Sequence, residues 1–423
     1  MRALVVAMAC VFFAAGTPAV GAEPRGEDPA LSLREAIARA RLHHPSLRAS
    51  RLLLDQAQAA ARSAEAEKGP RLTLTSALSG SGQGEKAPQG GWDTKLAVSQ
   101  PLFDAFKAQD ALQLASLLRL KAESDLAASD LALQYDVSRF YLEALRAQAQ
   151  VSAAQLDIAR ARSQVGVAKA RLRGGAGTEL DVLQVEALLA SAQDRRLQAQ
   201  ATHEAALNAL EALVGQAPQS LRPDPGTALL LVTVDGAGAS AALLQRPDLR
   251  TLEINRRIQE LTAVQRSRAK LPTLEAGGNV GASPFGGASY GVTGTLSWGV
   301  FDAGRLDGPI AQARLEAERA AALLEAGRLS AILEIRRAQA ALRTSEERVE
   351  LTGQQQAASA RALQLSLLRF ERGVGTSLET LQALTSLNQA QSAAIAAKFD
   401  DYAARLKLTQ ALGLPVEAML ASE

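Results

Sequence analysis

Two long stretches of the chain are free of proline and rich in residues that favour helix. No proline occurs at residues 102–217 or 310–414, and both stretches abound in Ala, Leu, Gln, Glu and Arg, which are good helix formers. A glycine-containing phrase interrupts each stretch about two thirds of the way along. The pattern predicts two helices in each stretch, over residues 104–172 and 178–214 and then over residues 309–372 and 377–412.

The longer helix of each predicted pair has about 65 residues and would reach about 100 Å at 1.5 Å per residue. Helices of this length without internal caps are typical of coiled coils. Their apolar positions drift between faces, as at Leu324, Leu333 and Ile335, so we expect each helix to pack on two sides.

Ahead of each proline-free stretch, the apolar pattern changes from a helical period to strict alternation. Tyr290, Val292 and Leu296 alternate with small or polar residues, and Leu72, Leu74 and Leu78 do the same earlier in the chain. Gly/Ser-rich loops separate such runs. This alternation is typical of β-strands joined as hairpins, and it predicts hairpins over residues 71–101 and 272–300.

One apolar and one polar face on strands of about ten residues is typical of a transmembrane β-strand, although a half-buried soluble sheet shows the same alternation. The membrane interpretation is favoured because no short segment of the sequence could cover the apolar face. Aromatic side chains near the strand ends would then lie at the membrane interface, namely Trp92, Tyr290 and Trp298. The polar positions are candidates to line a barrel lumen, namely Asp93, Lys95, Ser99, Thr293 and Thr295.

Four strands cannot close a barrel alone, and open sheet edges are not tolerated in lipid. The chain must therefore assemble with copies of itself. A dimer would supply eight strands around a filled interior, whereas a trimer would supply twelve and leave room for a lumen. The pattern of residues does not decide between a trimer and a tetramer.

The chain repeats itself. Residues 171–184 read RLRGGAGTELDVLQ and residues 369–382 read RFERGVGTSLETLQ, and SQPLFD at 99–104 is answered by SWGVFD at 297–302. A repeat of this length indicates two structural copies of one unit. The predicted divisions are a first repeat over 23–215, a connector over 216–240, a second repeat over 241–415 and a tail over 416–423.

The first 22 residues have the pattern of a secretory signal peptide. Arg2 precedes an apolar run, and Val20 and Ala22 fit the small-residue pattern of a cleavage site after Ala22. A lipoprotein signal using Cys10, the only cysteine, is disfavoured because only seven residues separate it from Arg2. The exported chain would then contain no cysteine and no disulfide.

Charge and histidine content argue against several functional classes. The formal net charge is +2 with no basic block, so nucleic acid is not an expected partner. The three histidines show no metal-ligand spacing, and no nucleophile motif or phosphate-binding loop occurs. We therefore predict no enzymatic activity, no metal and no cofactor.

Taken together, these motifs resemble the TolC-type outer-membrane efflux protein family. The resemblance runs from Leu31 to Pro415 and includes LSLREAIARARLHHPSLRASRLLL at 31–54, with His44 where Asn is common in the family. SQPLFD and SWGVFD resemble the family's turn from strand into long helix. The two glycine phrases resemble its helix-to-helix turns.

The resemblance implies a mainly α fold with a small transmembrane β part. Three chains would form a twelve-stranded barrel in the outer membrane of a Gram-negative bacterium, continued across the periplasm by an α-helical tunnel of nearly six-fold symmetry. The implied function is a passive exit duct of a tripartite efflux or type I secretion system. Its implied partners are outer-membrane lipid, a periplasmic adaptor and an inner-membrane transporter. A periplasmic coiled-coil adaptor or scaffold remains the alternative, although adaptors usually carry one helical hairpin and no duplication.

The glycine phrases are predicted to form the periplasmic tips. Gly175 and Gly373 are placed for the left-handed conformation that ends a helix. Thr178 and Thr376 would cap the returning helices, and the acidic residues three positions later would complete capping boxes. A plain turn and cap is sufficient to explain these residue types.

By resemblance, acidic residues six positions after the glycine help to close the channel entrance. This chain departs from the family's pattern at Gly375, where a gate arginine occurs in some members, and at Phe370, where a gate tyrosine occurs. It also has Gln184 and Gln382 where some members carry another carboxylate. The gate candidates are Asp181, Glu379, Gln184, Gln382 and Phe370. The adaptor-docking candidates are Gly174, Gly175, Ala176, Gly177 and Thr178 in the first turn, and Gly373, Val374, Gly375, Thr376 and Ser377 in the second.

Overall fold

The computed structural model describes residues 30–81, 89–216, 218, 220–222, 246–283 and 287–419. The predicted signal peptide and most of the predicted connector lie outside these residues. The described helices are α1 (Leu33–His43), α2 (Pro45–Ala66), α3 (Lys107–Arg173), α4 (Glu179–Val214), α5 (Pro247–Arg268), α6 (Asp307–Glu371) and α7 (Ser377–Leu412). The described strands are β1 (Arg71–Ser81), β2 (Gln89–Phe103), β3 (Thr273–Ser283) and β4 (Gly287–Ser297), and a short 3₁₀ helix spans Val416–Met419.

All four described strands form one antiparallel sheet in the order β1-β2-β3-β4. The sheet unites the two predicted hairpins, because β2 pairs with β3 across the repeat boundary. A shift in register between Pro101 and Phe103 marks the end of this pairing. The outer edges of β1 and β4 remain without a strand partner among the described residues.

The register carries the predicted alternation across the whole sheet. Leu74 lies opposite Leu96, Leu96 opposite Val280, and Val280 opposite Tyr290. These four side chains are 69%, 43%, 61% and 90% exposed, so nothing in the described part of the chain covers this row. The adjacent row consists of Thr75, Lys95, Gly281 and Ser289, which is polar or small.

Each long helix is paired with a shorter returning helix. Helix α3 has 67 residues and α6 has 65, while α4 and α7 have 36 each. At 1.5 Å per residue the longer ones extend about 100 Å. Among the described helices, none is both long enough and apolar enough to cross a membrane.

Two helices of 22 residues, α2 and α5, lie along the strand-proximal halves of α3 and α6, and the sequence analysis did not predict them. Their contacts with α3 are partly polar. The Ser50 hydroxyl donates to that of Ser129 at 3.0 Å, and Thr251 donates to Asp125 at 2.9 Å. Arg268 also pairs with the buried carboxylate of Asp110.

The turns from strand into long helix explain where those helices begin. Ala105 and Phe106 have φ values of +55° and +67°, and Ala303 has +52°, so the chain reverses through left-handed residues before each helix starts. Asp104 accepts a hydrogen bond from the backbone nitrogen of Ala108 at 2.7 Å. Helix α3 consequently starts at Lys107, three residues later than the sequence predicted.

The largest buried cluster lies midway along the molecule, where α1 packs on α3 and α4. Ile37, Val137 and Leu210 are at most 1% exposed. The Tyr141 hydroxyl lies 3.0 Å from the carbonyl oxygens of Leu31 and Arg222. Burial raises the pKa of Tyr141 to about 12, so its hydroxyl stays protonated and ties the segments flanking the helices to the core.

Candidate functional site at the helical tips

The two glycine phrases form turns with the same backbone geometry. Gly175 and Gly373 have φ values of +72° and +76°, which confirms the predicted left-handed caps. Ala176 donates to the carbonyl of Arg171 at 2.9 Å, and Val374 donates to that of Arg369 at 3.0 Å. These bonds, reaching back five residues, are those of a Schellman motif, which satisfies carbonyls left free at a helix end.

A second glycine in each turn is required by close approach within the turn itself. A Cβ on Gly177 would lie 3.2 Å from Arg171 Cβ, and one on Gly375 would lie 3.0 Å from Arg369 Cβ. Both distances are tighter than ordinary Cβ contacts. The sequence analysis offered these glycines as docking surface, but they also have this structural requirement.

The returning helices begin differently in the two copies. The Thr178 hydroxyl accepts from Asp181 N at 3.2 Å, and Asp181 Oδ2 accepts from Thr178 N at 2.9 Å, which completes the predicted capping box. In the second copy Thr376 accepts from Glu379 N at 3.2 Å. The predicted second box is only half formed, because the Glu379 carboxylate lies 3.8 Å from Arg369 instead of bonding back to the backbone.

The two turns touch each other through Asp181. Besides its capping bond, this carboxylate accepts from the Thr178 hydroxyl at 2.7 Å and from the Ser377 hydroxyl of the other turn. These hydrogen bonds, led by that from Ser377 and aided by the charge of Arg171, lower the pKa of Asp181. The capping carboxylate of one helical hairpin is therefore also a contact with the other.

A second link between the turns comes from Arg171, which the sequence analysis did not select. Its guanidinium carbon lies 3.6 Å from the centre of the Phe370 ring, and its Nη2 donates to the Phe370 carbonyl at 2.6 Å. Arginine stacked on an aromatic face is attracted by the negative charge of that face. The available signal was the arginine that opens both copies of the phrase, Arg171 and Arg369.

These contacts line a pocket of about 200 Å³ between the two hairpins, bordered by Arg171, Asp181, Phe370 and Ser377. The structure therefore brings together two of the five gate candidates, Asp181 and Phe370. Glu379 is directed to Arg369, and Gln382 is exposed at the surface of this chain. Gln184 is half-buried one turn further along α4.

Further from the tips, α3 and α7 are joined by polar side chains. Asp157 is 4% exposed and accepts from the side-chain nitrogen of Asn388 at 2.8 Å, in the amide orientation that also lets Asn388 donate to a backbone carbonyl. Arg160 donates to Gln391 at 2.9 Å, and Arg146 donates to Asp400 at 3.0 Å. Burial raises the pKa of Asp157. The two hairpins of one chain are thus held together along much of their length.

At the other end of the molecule, the polar candidates all fall on the face opposite the exposed apolar row. Thr293 lies opposite Gly277 and Ser99 opposite Gly277 from the other side, so both project to one face. Trp92 and Tyr290 lie on the apolar face. Trp298 lies one residue beyond the end of β4, because β4 ends at Ser297 and not at residue 300 as predicted. The face shared by the lumen candidates comprises Asp93, Lys95, Ser99, Thr293 and Thr295.

Among the described residues, no three His, Cys, Asp or Glu side chains are arranged to hold a metal ion. The polar contacts described at the tips are caps, links between hairpins, and the Lys169–Glu186 ion pair at 2.7 Å within the first hairpin. The arrangement therefore provides adhesion between helical hairpins, and its chemistry is hydrogen bonding and charge pairing.

Sequence comparison assigns both halves of the chain to one family. The sequence profile described as "Outer membrane efflux protein" matches residues 36–216 and again residues 238–414. The chain is 29% identical over 408 residues to the pyoverdine export outer membrane protein OpmQ of Pseudomonas aeruginosa, covering 90% of this chain and 85% of OpmQ.

Solved structures show the same fold. The structure of CusC matches with a TM-score of 0.82 at 20% identity, covering 90% of this chain and 92% of that one. The outer membrane protein VceC of Vibrio cholerae matches with a TM-score of 0.81 at 23% identity, covering 91% of this chain and 97% of that one.

Proposed function

The chain belongs to the outer membrane efflux protein family and is an outer-membrane efflux channel, and we propose that it works as a trimer whose tips dock on a periplasmic adaptor. The adaptor links it to an inner-membrane transporter that supplies the energy. The channel itself is a passive duct. Members of this family are channels, which removes the alternative of an adaptor or scaffold.

The observation that carries this proposal is the exposed apolar row on an open sheet. Leu74, Val280 and Tyr290 lie in one row across the sheet, with Leu96 between the first two, and are each more than 60% exposed. Contact with lipid would stabilise such a face, and an open strand edge in lipid leaves backbone groups without hydrogen bonds. Pairing the free edge of β1 with the free edge of β4 of another copy satisfies both requirements.

Three copies are the number we propose. They supply twelve strands, and the polar face that carries Lys95 and Thr293 then lines the interior of the barrel. Two copies would give an eight-stranded barrel that side chains fill, which would block a duct. The paired hairpins α3–α4 and α6–α7 would continue the barrel as a tunnel of six hairpins.

Fractionation tests the proposed assembly. We expect the mature protein to be extracted from membranes only by detergent and to run as a trimer that heating converts to monomer. A soluble monomer would contradict the proposal. The variant V292K, which is expected to lose the heat-modifiable trimer, serves as the negative control.

The tips are the proposed docking surface because they carry exposed apolar side chains. These side chains are not among the glycines that the turn itself needs. Val374 is 68% exposed and Leu378 is 51% exposed. A helical hairpin of an adaptor would pack on these apolar side chains and on the small residues between them. Asp181 and Glu379 would then surround the mouth that the adaptor opens.

Docking is tested with V374E, because this change leaves both turn glycines in place. We expect export to fall while the heat-modifiable trimer still forms. Export at the level of the unchanged protein would place docking elsewhere. Substitution of Gly177 or Gly375 by a large residue is expected to abolish export too, but it also distorts the turn and is the less specific test.

A further inference from the structure

The strand-to-helix turn of the first repeat keeps a phenylalanine in a backbone conformation that favours glycine. Phe106 has φ +67°, and the corresponding residue of the second repeat is Gly304, at φ +79°. A left-handed backbone is unfavourable for a residue with a Cβ and is readily adopted by glycine. The turn itself therefore does not need the phenyl ring. Residues held in such strained conformations cluster at functional sites, so the contacts of this ring are of interest.

A bulge directs a second phenylalanine to the lipid-facing side of the sheet. Strict alternation would place Phe103 on the polar face of β2. The register shift after Pro101 instead leaves Leu102 as an extra residue and brings Phe103 opposite Leu274. Leu274 pairs on its other side with Leu296 of the apolar face. Bulges commonly redirect a side chain in this way, and this one adds an aromatic ring to the end of the apolar face.

The position of Phe103 along β2 fits the periplasmic surface of the membrane. Eleven positions separate Trp92 from Phe103, and eleven also separate Tyr290 from Phe301. Eleven residues of strand extend about 36 Å, which at a tilt of about 40° crosses about 28 Å of membrane. The apolar band of outer-membrane barrels is about 25 Å tall. The turn that contains Phe106 therefore lies at the level of the lipid headgroups.

The Phe106 ring is packed between a second ring and a cation. Its centre lies 5.8 Å from that of Phe103 in an edge-to-face arrangement, and 4.8 Å from the guanidinium carbon of Arg268. Arg268 pairs with the buried carboxylate of Asp110, yet its side chain remains 33% exposed. Lys107 directly follows Phe106 and is exposed. Two cationic groups therefore accompany the ring.

The carboxylates of this turn are engaged within the protein. Asp104 accepts a hydrogen bond from the backbone nitrogen of Ala108 at 2.7 Å, and the side chain of Asp110 is only 3% exposed. The exposed charge of the turn is therefore positive. Guanidinium and ammonium groups at the level of the headgroups attract lipid phosphates.

We propose that this turn binds a phospholipid of the inner leaflet of the outer membrane, an inference that rests on the barrel proposed above. The phosphate pairs with Arg268 and Lys107, and an acyl chain lies against Phe103. Phe106 supports the Arg268 guanidinium from its aromatic face, which explains why a ring is kept at a strained position. The site occurs once in each chain, because Gly304 provides no ring in the second repeat.

Heat dissociation of the detergent-solubilised trimer tests the site, with dioleoylphosphatidylglycerol as the probe. A lipid that binds only the assembled protein raises its dissociation temperature. We expect a saturating amount of the probe to raise that of the unchanged protein by about 3–5 °C. F106G removes the ring and allows the backbone conformation that Gly304 adopts. Its dissociation temperature should not respond to the probe.

A matched pair of charge variants keeps the ring and the turn intact. K107Q removes the ammonium group beside Phe106 and should lose at least half of the shift caused by the probe. R305Q removes the cation at the corresponding position of the second repeat and should keep the whole shift. This pair tests the site even if F106G does not assemble.

Four outcomes would overturn the proposed lipid site. They are no shift in the unchanged protein, an equal shift in K107Q, an equal loss in R305Q, and an equal shift with dioleoylglycerol, which lacks the phosphate. The same shift with inorganic phosphate alone would identify a site for a free anion and would also reject the lipid. Failure of the unchanged protein to form trimers would instead contradict the proposed function.

Discussion

Ser377 donates a hydrogen bond to Asp181, so the first residue of α7 holds the carboxylate that caps α4. The capping carboxylate therefore has two roles, since it starts its own helix and joins the two hairpins of the chain. Arg171 stacks on Phe370 in the same pocket. Local helix capping and contact between hairpins thus depend on the same few atoms.

This link is expected to persist to acidic pH. Hydrogen bonds from Ser377 and Thr178 lower the pKa of Asp181 in the folded protein. The ionised carboxylate therefore contributes its full stabilisation of the folded tip above the ordinary carboxyl pKa of about 4. The contribution is lost only as pH falls through the lowered value. We expect D181N trimers to show raised conductance in planar bilayers already at neutral pH. A D181N conductance equal to that of the unchanged protein would argue against the link.

The two faces of β4 are expected to respond in opposite ways to a charge. V292K places an ammonium on the apolar face, where Val292 is 90% exposed, and a lysine facing lipid near the bilayer midplane costs about 2–4 kcal/mol. T293K, one residue later, places the same charge on the polar face. We expect V292K to lose the heat-modifiable trimer and T293K to keep it. Equal assembly of the two variants would mean that the apolar face does not contact lipid.

Removal of one hydroxyl should loosen the middle of the molecule. Y141F deletes the buried hydroxyl that lies 3.0 Å from the carbonyls of Leu31 and Arg222, and loss of a typical intramolecular hydrogen bond costs about 0.5–1.5 kcal/mol. The dissociation temperature of the trimer should therefore fall. Y402F is the matched control, because the edge-to-face packing of Tyr402 on Phe399, at 5.7 Å between ring centres, does not need the hydroxyl. A fall of equal size in both variants would remove the special role of Tyr141.

Alanine substitutions at two neighbouring tip glycines should distinguish the effect of backbone strain from that of ordinary side-chain contact. G175A places a side chain at φ +72°, with no atom within 4 Å of the new Cβ, so only backbone strain of about 1–2 kcal/mol is expected. G174A introduces no such strain, since Gly174 has φ −82° and its Cβ would make ordinary contacts from 3.6 Å. Protease cleavage at the tip should therefore be faster in G175A than in G174A. Equal rates would show that the left-handed cap does not limit fraying.

Much of the fold follows from local sequence. The proline-free stretches locate the long helices, and the alternation around Leu96 and Tyr290 locates the strands. The pairing of Leu96 with Val280 joins two hairpins that lie far apart in sequence, and no local pattern specifies it. Helix α2 was not predicted; it buries only Leu47 and Ala64 fully, whereas Leu52 and Leu53 are 58% and 60% exposed.

At the tips, the turn and its left-handed glycines could be predicted because each phrase determines its own backbone. The contact of Ser377 with Asp181 could not, since it depends on how the two hairpins stand beside each other. The second capping box was wrong for a related reason. Arg369, at the end of the preceding helix, draws the Glu379 carboxylate away from the backbone.

The unpaired edges of β1 and β4 have a consequence for the single chain on its way to the membrane. Each edge presents a row of backbone donors and acceptors beside an exposed apolar face, which is a template for aggregation. The largest buried cluster among the described residues, which includes Ile37, Val137 and Leu210, forms within one chain. We therefore expect the helical part to fold first in transit, with a holding chaperone shielding β1 to β4 until copies and lipid are met together.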